Sequence, residues 1–425
     1  MGEPKYRSLR GMPDILPGTA VRMRNLEDAA RDVFALYGFG EMRTPILEAT
    51  EVFTTGVGES TDIVEKEMYT FTDRGGKSLS LRPEGTAPII RAFVEHGLGN
   101  SSEVVKIFYS GPMFRGERPQ KGRLRQFHQI GAETIGSSDP FADAELILTL
   151  ESILKRIGVT GHTIFVNSLG CAKDRKEFSR SLSKFLESRF EELCENCKRR
   201  ARGNVLRVLD CKSPSCRKVV ERAPEINGFL CGDCVRFYNE FKDILSRERV
   251  SFREKRDLVR GLDYYTGVIF EASHPSLGAQ DAFAAGGRYD SLSLKMGGAD
   301  ISASGYAIGV ERLLLALQDT DAARSPGVLV VPTKEELKVP VFHFVEKLRD
   351  SGIFCEMDLT GRSLKAQMRK AGKEKRDFVI FVDEDQQTAD KVSLKYMDTG
   401  EQKDFGFDEL VGILRKGKVK NDKDA

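Results

Sequence analysis

The sequence predicts an α+β domain built on an antiparallel sheet, interrupted by a helical insertion and followed by a compact α/β domain. Three observations carry this. Met113–Glu133, MFRGERPQKGRLRQFHQIGAE, reads as two strands joined by a loop, because Pro119 and Gly122 interrupt any helical pattern. From about Cys171 to Val250 the periodicity is helical at 172–193 and 233–247, and cysteines punctuate the middle. After Ser325-Pro326, the apolar runs GVLVV, GIFCEM, DFVIFVD and KVSLKYM alternate with helical stretches near 335–350, 362–372 and 407–415. The expected boundaries are 1–170 with 251–322, then 171–250 for the insertion and 326–425 for the last domain.

The first helix is read from Met23, Leu26, Ala30, Val33 and Leu36 at helical spacing, with Gly38 as its stop. A strand follows through Met42 to Leu47, broken by Pro45, which suits an edge or a bulge. Residues 78–95 give a strand and then a helix around LRPEGTAPII, and 104–114 form the strand that leads into the hairpin. Asp139 and Pro140 suit the N-cap and first position of a helix carrying Leu146, Ile147, Leu150, Ile153 and Leu154. Strands are expected again at 257–272 and 282–289, then a helix over about 305–318.

Composition narrows the function. A chain of 425 residues suits two to four domains, and no run of eighteen apolar residues marks a membrane span. The N-terminal MGEPKYRSLRGMPDILPG has no apolar signal region, so cytoplasmic residence and no membrane association are expected. Net charge is only +2 but unevenly spread. Residues 198–222 hold nine Lys or Arg against Asp210 and Glu221. Residues 362–376 hold seven against Glu374. With the hairpin, that makes three basic patches, which suit a large polyanion touched at several places; solvated clusters are the alternative.

The hairpin places Arg115, Arg118, Lys121, Arg123 and Arg125 close together, opposed only by Glu117, with Phe114 and Phe127 beside them and Glu133 following. Guanidinium groups fixed on strands bind phosphate oxygens bidentately, and an aromatic face stacks on a base. A solvated surface ribbon is the competing reading. Arg82-Pro83-Glu84-Gly85-Thr86 offers Glu84 and Thr86 to an ammonium group, or is a turn with a helix-capping Thr. Leu258–Gly267, LVRGLDYYTG, sets Arg260, Asp263, Tyr264 and Tyr265 on a glycine-interrupted strand, where a cross-strand aromatic ladder is the alternative. Gly286-Gly287-Arg288-Tyr289-Asp290 has paired glycines that leave room for a flat substrate. Gly305–Arg312, GYAIGVER, opens a helix with Arg312 one turn in.

Cys194-x-x-Cys197 and Cys231-x-x-Cys234 frame Cys211 and Cys216. Two CxxC pairs in a reducing compartment suit a tetrahedral structural zinc, for which the pairs themselves are the expected ligands. Reduced thiols packed in a small module are the alternative. Cys171 and Cys355 read as apolar fillers.

Together these segments resemble the class II aminoacyl-tRNA synthetases. The hairpin is similar to their motif 2, GVERLLLAL to motif 3, and the helix before Pro45 to motif 1. LVRGLDYYTG and GGRYD resemble the two signature peptides of the bacterial histidyl-tRNA synthetase family, and RGMPDILP and RPEGT match it too. The likeness spans essentially the whole chain, and it implies a C-terminal anticodon-binding domain. It implies a ligase that activates L-histidine with ATP and Mg2+, releases pyrophosphate and charges tRNA(His). It implies Arg115 and Arg260 as catalytic groups at the α-phosphate, and Arg115, Glu117, Arg123, Phe127 and Arg312 around ATP. Glu84, Thr86 and Gln129 would hold the α-amino group. Glu133 and Tyr265 would read the imidazole, with Tyr264 and Tyr289 shaping its pocket. The loop around Arg118, Gln120 and Arg123 would approach the tRNA end. The basic insertion would clasp the acceptor stem, and the helix near Lys365–Lys370 would face the anticodon. A homodimer through the motif 1 helix and strand is also implied. The cysteines depart from many family members, so the chemistry does not depend on them. Arg115, Arg260 and Arg312, with Glu84, Gln129 and Glu133, argue against two rivals: a non-catalytic regulatory paralogue and a binding module without catalysis.

Overall fold

The computed structural model describes residues 5–58, 61–100, 103–278, 281–317, 327–383 and 391–421. It forms two compact units, Met1–Gln318 and Asp319–Ala425. Ser325-Pro326, the expected linker, lies outside the described residues.

The first unit contains eleven strands among its described residues: β1 (Gly40–Glu41), β2 (Leu47–Ala49), β3 (Tyr69–Thr72), β4 (Ser78–Leu81), β5 (Val105–Phe114), β6 (Gln126–Ile135), β7 (Thr163–Ser168), β8 (Phe252–Glu254), β9 (Thr266–Ser273), β10 (Ala282–Arg288) and β11 (Ala303–Gly309). Eight form one sheet in the order β1-β5-β6-β11-β10-β9-β7-β8. Its inner pairs are antiparallel, and only β1 on β5 and β7 on β8 run parallel. A small sheet, β2-β4-β3, lies apart from it.

The two-residue period of β6 sorts its side chains. Ile130 and Ala132 enter the core with Leu146, Ile147, Leu150 and Leu154 of the helix Pro140–Arg156. Phe127, Gln129 and Glu133 share the opposite face, with Gly131 between them. Asp139 caps the helix Pro140–Arg156 through a bond from the Phe141 N–H, 2.9 Å. On β11 the residues flanking that site face are Gly305, Ala307 and Gly309, paired with Glu133, Gly131 and Gln129. Small residues here keep the floor of the site low.

Several local expectations are corrected. Met42–Leu47 is not one strand: β1 ends at Glu41 and β2 begins at Leu47, and Pro45 falls in the irregular stretch between. The strand at 257–272 begins only at Thr266; Leu258–Tyr265 is irregular, tied down by Asn167 donating to the Leu258 carbonyl (3.0 Å) and Asp263 N–H to Val57 O (3.0 Å). The expected helix at 305–318 is β11 followed by the helix Val310–Ala316. The stripe Met23, Leu26, Ala30 and Val33 of the helix Pro17–Leu36 is buried in this chain's own core, so it is not available to a second copy.

The segment 171–250 carries the helices Ala172–Glu187, Glu195–Arg202, Pro214–Val220 and Gly232–Arg247. Its Phe178, Leu182, Leu186, Val208 and Ile226 belong to one buried cluster with Ile89, Tyr264 and Ile269 of the flanking segments. The last helix departs from the rest and sends Tyr238, Phe241 and Leu245 into the core beneath the large sheet.

The second unit is a five-stranded sheet of β12 (Val328–Pro332), β13 (Cys355–Met357), β14 (Phe378–Val382), β15 (Lys391–Tyr396) and β16 (Gln402–Gly406), ordered β13-β12-β14-β15-β16. The first three strands are parallel and the last two pairings antiparallel. The continuous apolar runs Val328–Val331 and Val379–Ile380 are buried on both faces, as parallel strands covered by helices require. Helix Leu364–Lys373 buries Gln367 and Ala371 and leaves Lys365, Arg369 and Lys373 exposed.

Candidate active site

The helix Thr86–Glu95 begins where the chain leaves β4, and Arg82 anchors that point. Buried Arg82 donates to Pro112 O (2.9 Å) and Thr44 O (3.0 Å), tying the end of β4 to β5. Glu84 then turns inward and caps the helix. Its two carboxylate oxygens accept the N–H groups of Thr86 (2.7 Å) and Ala87 (2.8 Å). The cap is therefore the Glu84 carboxylate and not the Thr86 hydroxyl. Burial pushes the Glu84 carboxyl up, against those two backbone donors.

The Thr86 hydroxyl instead donates to Glu133 Oε1, 2.8 Å, and the Tyr289 hydroxyl donates to Glu133 Oε2. Glu133 is wholly buried, and burial pushes its carboxyl up to about 8, opposed by its bonds from Tyr289 and Thr86. Thr86, Glu133 and Tyr289, far apart in sequence, thus form one polar cluster. Tyr264 packs tilted against Tyr265 (centroids 4.7 Å) and edge-on to Tyr289 (5.5 Å). The paired Tyr residues form no cross-strand ladder, since both precede β9.

A cavity of about 890 Å³ opens in front of this cluster, lined by Glu84, Thr86, Gln129, Tyr264 and Tyr265. Glu133 and Tyr289 do not line it; they lie behind it, closed off from solvent. Gln129 presents a buried Oε1 without a hydrogen-bond partner, a polar atom that suits a bound donor.

The rest of the cavity wall mixes carboxylates with a set of arginines. Arg115 donates to Pro83 O (2.9 Å) and lies over the Phe127 ring at 5.1 Å. Arg123 pairs with Glu117, 3.0 Å, at the hairpin tip, where Gly122 at φ +73° makes the turn. Arg118 and Gln120 are exposed at that tip. Arg312 donates to Ala282 O (2.5 Å), and burial followed by nearby Arg123 holds its guanidinium below the usual range. Arg260 pairs with Glu271, 2.8 Å, and its buried Nε has no hydrogen-bond partner. Arg115, Arg123, Arg260 and Arg312 therefore converge on one cavity, with Glu117 and Glu271 as counter-charges. Such a set neutralises a polyphosphate and the charge that builds at its reacting phosphorus.

Gly286 and Gly287 do not open space for a substrate, contrary to the sequence reading. A Cβ on Gly286 would meet Gly305 O at 2.3 Å, and one on Gly287 would meet Val268 O at 2.5 Å. Those glycines let neighbouring strands approach.

Five contributors escaped the sequence reading. Tyr109 on β5 fills the space left by Gly131 across the strand pair and by Gly85. Glu271 on β9 holds Arg260. Glu311 accepts the His128 N–H (2.9 Å) and contacts its Nδ1 (2.8 Å), locking β6 to the start of the helix Val310–Ala316. Asp62 accepts from Arg200 (2.9 Å) and Arg207 (2.7 Å), and Asn204 donates to Asp263 Oδ1 (2.6 Å), so the inserted helices fasten to the cavity wall. Facing glycines were the available signal for Tyr109; the others depend on contacts distant in sequence.

The two CxxC pairs do not come together. Cys194 and Cys197 group with Cys211 and Cys216, whereas Cys231 and Cys234 group with Cys171 and Asp174. Cys171 is thus no mere filler.

The family model for histidyl-tRNA synthetase matches residues 11–230 and 234–313, and that for an anticodon binding domain matches 327–417. The chain is 44% identical over 412 residues to a histidine–tRNA ligase of Halothermothrix orenii, covering 96% of this chain and 98% of that one. It is 44% identical over 400 residues to a histidine–tRNA ligase of Geobacter metallireducens, covering 94% and 97%. Among solved structures, apo histidyl-tRNA synthetase of S. aureus matches with TM-score 0.79 and 31% identity over 96% of this chain and 99% of that one. Among the described residues, no helix is long and apolar enough to cross a membrane.

Proposed function

The chain belongs to the histidyl-tRNA synthetase family, and from that premise we propose how its residues divide the work of ligating histidine to tRNA. The activity is that of a histidine–tRNA ligase. The histidine carboxylate attacks the α-phosphorus of ATP, pyrophosphate leaves, and histidyl-adenylate forms. A ribose hydroxyl at the tRNA 3′ end then attacks the activated carbonyl, and AMP leaves.

Arg115 and Arg260 approach the α-phosphate and the attacking carboxylate from two sides of the cavity, where two anions must meet. Phe127 gives adenine a face, and Arg312, with Arg123, takes the outer phosphates. Mg2+ enters with ATP as part of the substrate and shields its phosphate charge. Glu84 receives the α-ammonium, since its buried carboxylate faces the cavity and is held by the neutral N–H groups of Thr86 and Ala87. Gln129 and Thr86 complete that contact.

The imidazole is assigned to the floor beside Tyr265, above Glu133. There a ring N–H replaces Thr86 as a donor to Glu133, while Tyr264 borders the ring and Tyr289, behind it, keeps its bond to Glu133 and shapes the pocket. A competitor lacking ring nitrogens would leave a buried carboxylate and phenols unpaired. The buried Glu133–Tyr289–Thr86 cluster is the observation that carries this reading.

The exposed hairpin tip at Arg118 and Gln120 is assigned to the tRNA end, the inserted basic helices to the acceptor stem, and the exposed cations of Leu364–Lys373 to the anticodon. The chain is proposed to work as a cytoplasmic homodimer. Ile46 and Leu47, following the motif 1 helix, are about 40% exposed at 43% and 38%, and suit such a contact better than the buried stripe.

Histidine-dependent ATP–pyrophosphate exchange, followed by charging of tRNA(His), tests the reading. Exchange that proceeds equally without histidine, or with Glu133→Ala at an unchanged histidine KM, rejects these assignments.

A further inference from the structure

We propose that this chain binds two zinc ions at two separate sites in its inserted segment. One uses Cys194, Cys197, Cys211 and Cys216; the other uses Cys171, Asp174, Cys231 and Cys234. The proposal rests on the thiol geometry alone and is independent of the assignments around histidine and ATP.

In each group the four ligand atoms lie within 4.8 Å of one another. A tetrahedral ion with Zn–S bonds of about 2.3 Å separates its sulfurs by about 3.8 Å. Cys194 and Cys211 Sγ stand 3.8 Å apart, and no cysteine of the chain is in a disulfide. A multi-iron cluster hangs its thiolates on different irons and spreads them wider, so one ion fits this spacing better.

The local backbone is arranged for thiolates. The N–H of Cys194 points at Cys216 Sγ (3.2 Å) and that of Ser213 at Cys211 Sγ (3.5 Å). Such donors orient and stabilise metal-bound sulfur. Three of the ligand pairs share one design. Cys171 and Asp174, Cys194 and Cys197, and Cys231 and Cys234 each occupy the N-cap and third position of a helix. This spacing turns both side chains of a pair toward one point, and two such pairs from distant helices meet in the second group.

The two ions would do different work. The second group joins the start of the first inserted helix to the start of the last, so it closes the segment at its base. Asp174 is buried there, and its Oδ2 accepts the Cys171 N–H, 3.3 Å. Asp as a fourth ligand makes this site S3O where the other is S4, and a carboxylate is an accepted zinc ligand. The first group fixes Glu195–Arg202 and the following turn, which carry Arg200, Asn204 and Arg207 to their contacts with Asp62 and Asp263 at the cavity wall.

Metal analysis of freshly purified full-length protein is expected to give two zinc ions per chain, both released by a thiol-reactive mercurial. One ion, none, or iron in place of zinc overturns the proposal. Cys197→Ser and Cys234→Ser are each expected to retain one ion; loss of the same single ion in both variants would instead indicate one shared site. Should either variant fail to fold, cobalt substitution of the intact protein decides. Its spectrum should contain an S4 and an S3O component, and Asp174→Cys should convert the second to S4 with two ions still bound. An unchanged spectrum in Asp174→Cys removes Asp174 from the ligand set.

Discussion

A Cβ placed on Gly305 would fall 1.6 Å from Glu133 Oε2 and 2.6 Å from Ala132 O. The two residues are direct neighbours across β11 and β6. The absence of a side chain at 305 is therefore what lets a carboxylate sit flat against the sheet, beneath the floor of the cavity.

Gly305→Ala is expected to abolish histidine activation before it abolishes folding. The added methyl displaces the Glu133 carboxylate from Tyr289 and Thr86 and strains the strand pair, at a cost of about 1–3 kcal/mol. Pyrophosphate exchange should fall by at least ~100-fold while the melting temperature drops a few degrees. Retained exchange with an unchanged histidine KM would show that Glu133 need not hold this position.

The proton on Glu133 should make histidine binding depend on pH. Buried Glu133 titrates near 8, and free imidazole near about 6.5, so one proton is present on the separated partners between those values. In the proposed complex Glu133 and the ring keep that proton between them. Above about 8 binding must take up a proton, and below about 6.5 it must release one. Histidine affinity should therefore peak between them and weaken about tenfold per unit above 8, a dependence absent in Glu133→Gln. The same raised carboxyl favours the unliganded fold below its ordinary 4.5, and that contribution is lost as pH rises through about 8. Calorimetric titration with histidine across this range checks the first statement, and thermal melting the second.

What the sequence disclosed follows from which forces are local. The β5–β6 hairpin was legible because Pro119 and Gly122 punctuate it, and Asp139-Pro140 because capping is read within one turn. Phe127, Gln129 and Glu133 sharing a face follows from the two-residue period alone. The irregular path of Leu258–Tyr265 was not legible, since Asn167 and Val57, distant in sequence, hold it there. Nor could spacing decide among the cysteines: CxxC fixes two ligands on one helix end, but the partner pair is chosen by the packing of separate helices. The glycines of GGRYD misled because a missing side chain admits a ligand and a neighbouring strand equally well.

Arg260 should show its work in the activation step. It is held by Glu271 at 2.8 Å, and its buried Nε remains without a hydrogen-bond partner. Arg260→Ala is expected to lower the turnover of pyrophosphate exchange by about 10²–10³-fold, the usual loss for a group that meets charge developing in the transition state. Arg260→Lys should recover little, because an ammonium cannot keep Glu271 and reach an oxyanion in the same plane. Glu271→Gln should cost less, about tenfold, by loosening the arginine. A rise confined to the ATP KM in all three variants would reassign Arg260 to simple nucleotide binding.

Asp62 faces two guanidinium groups, Arg200 at 2.9 Å and Arg207 at 2.7 Å, all partly exposed. Solvent screening limits each pair, so Asp62→Ala is expected to cost about 1 kcal/mol of stability in total. Its larger effect is local: residues 195–208 should lose hydrogen-exchange protection while Pro140–Arg156 keeps its own. Uniform loss across both segments would show that these pairs support the whole fold and not the seating of the inserted helices.

The helix Leu364–Lys373 tests the nucleic-acid side of the reading separately from the chemistry. Lys365, Arg369 and Lys373 are exposed, and the packed residues Gln367 and Ala371 lie on the other side of the helix. Each phosphate they neutralise releases counterions, and log affinity then falls with log salt by about 0.7–0.9 per contact. The variant carrying Lys365→Ala and Arg369→Ala should therefore reduce the salt slope of the tRNA KM by about one to two. Histidine-dependent pyrophosphate exchange needs no tRNA and should stay at the unmodified rate. If exchange falls in parallel with charging, the two substitutions act through folding; if charging keeps its salt slope, this face does not meet the tRNA backbone.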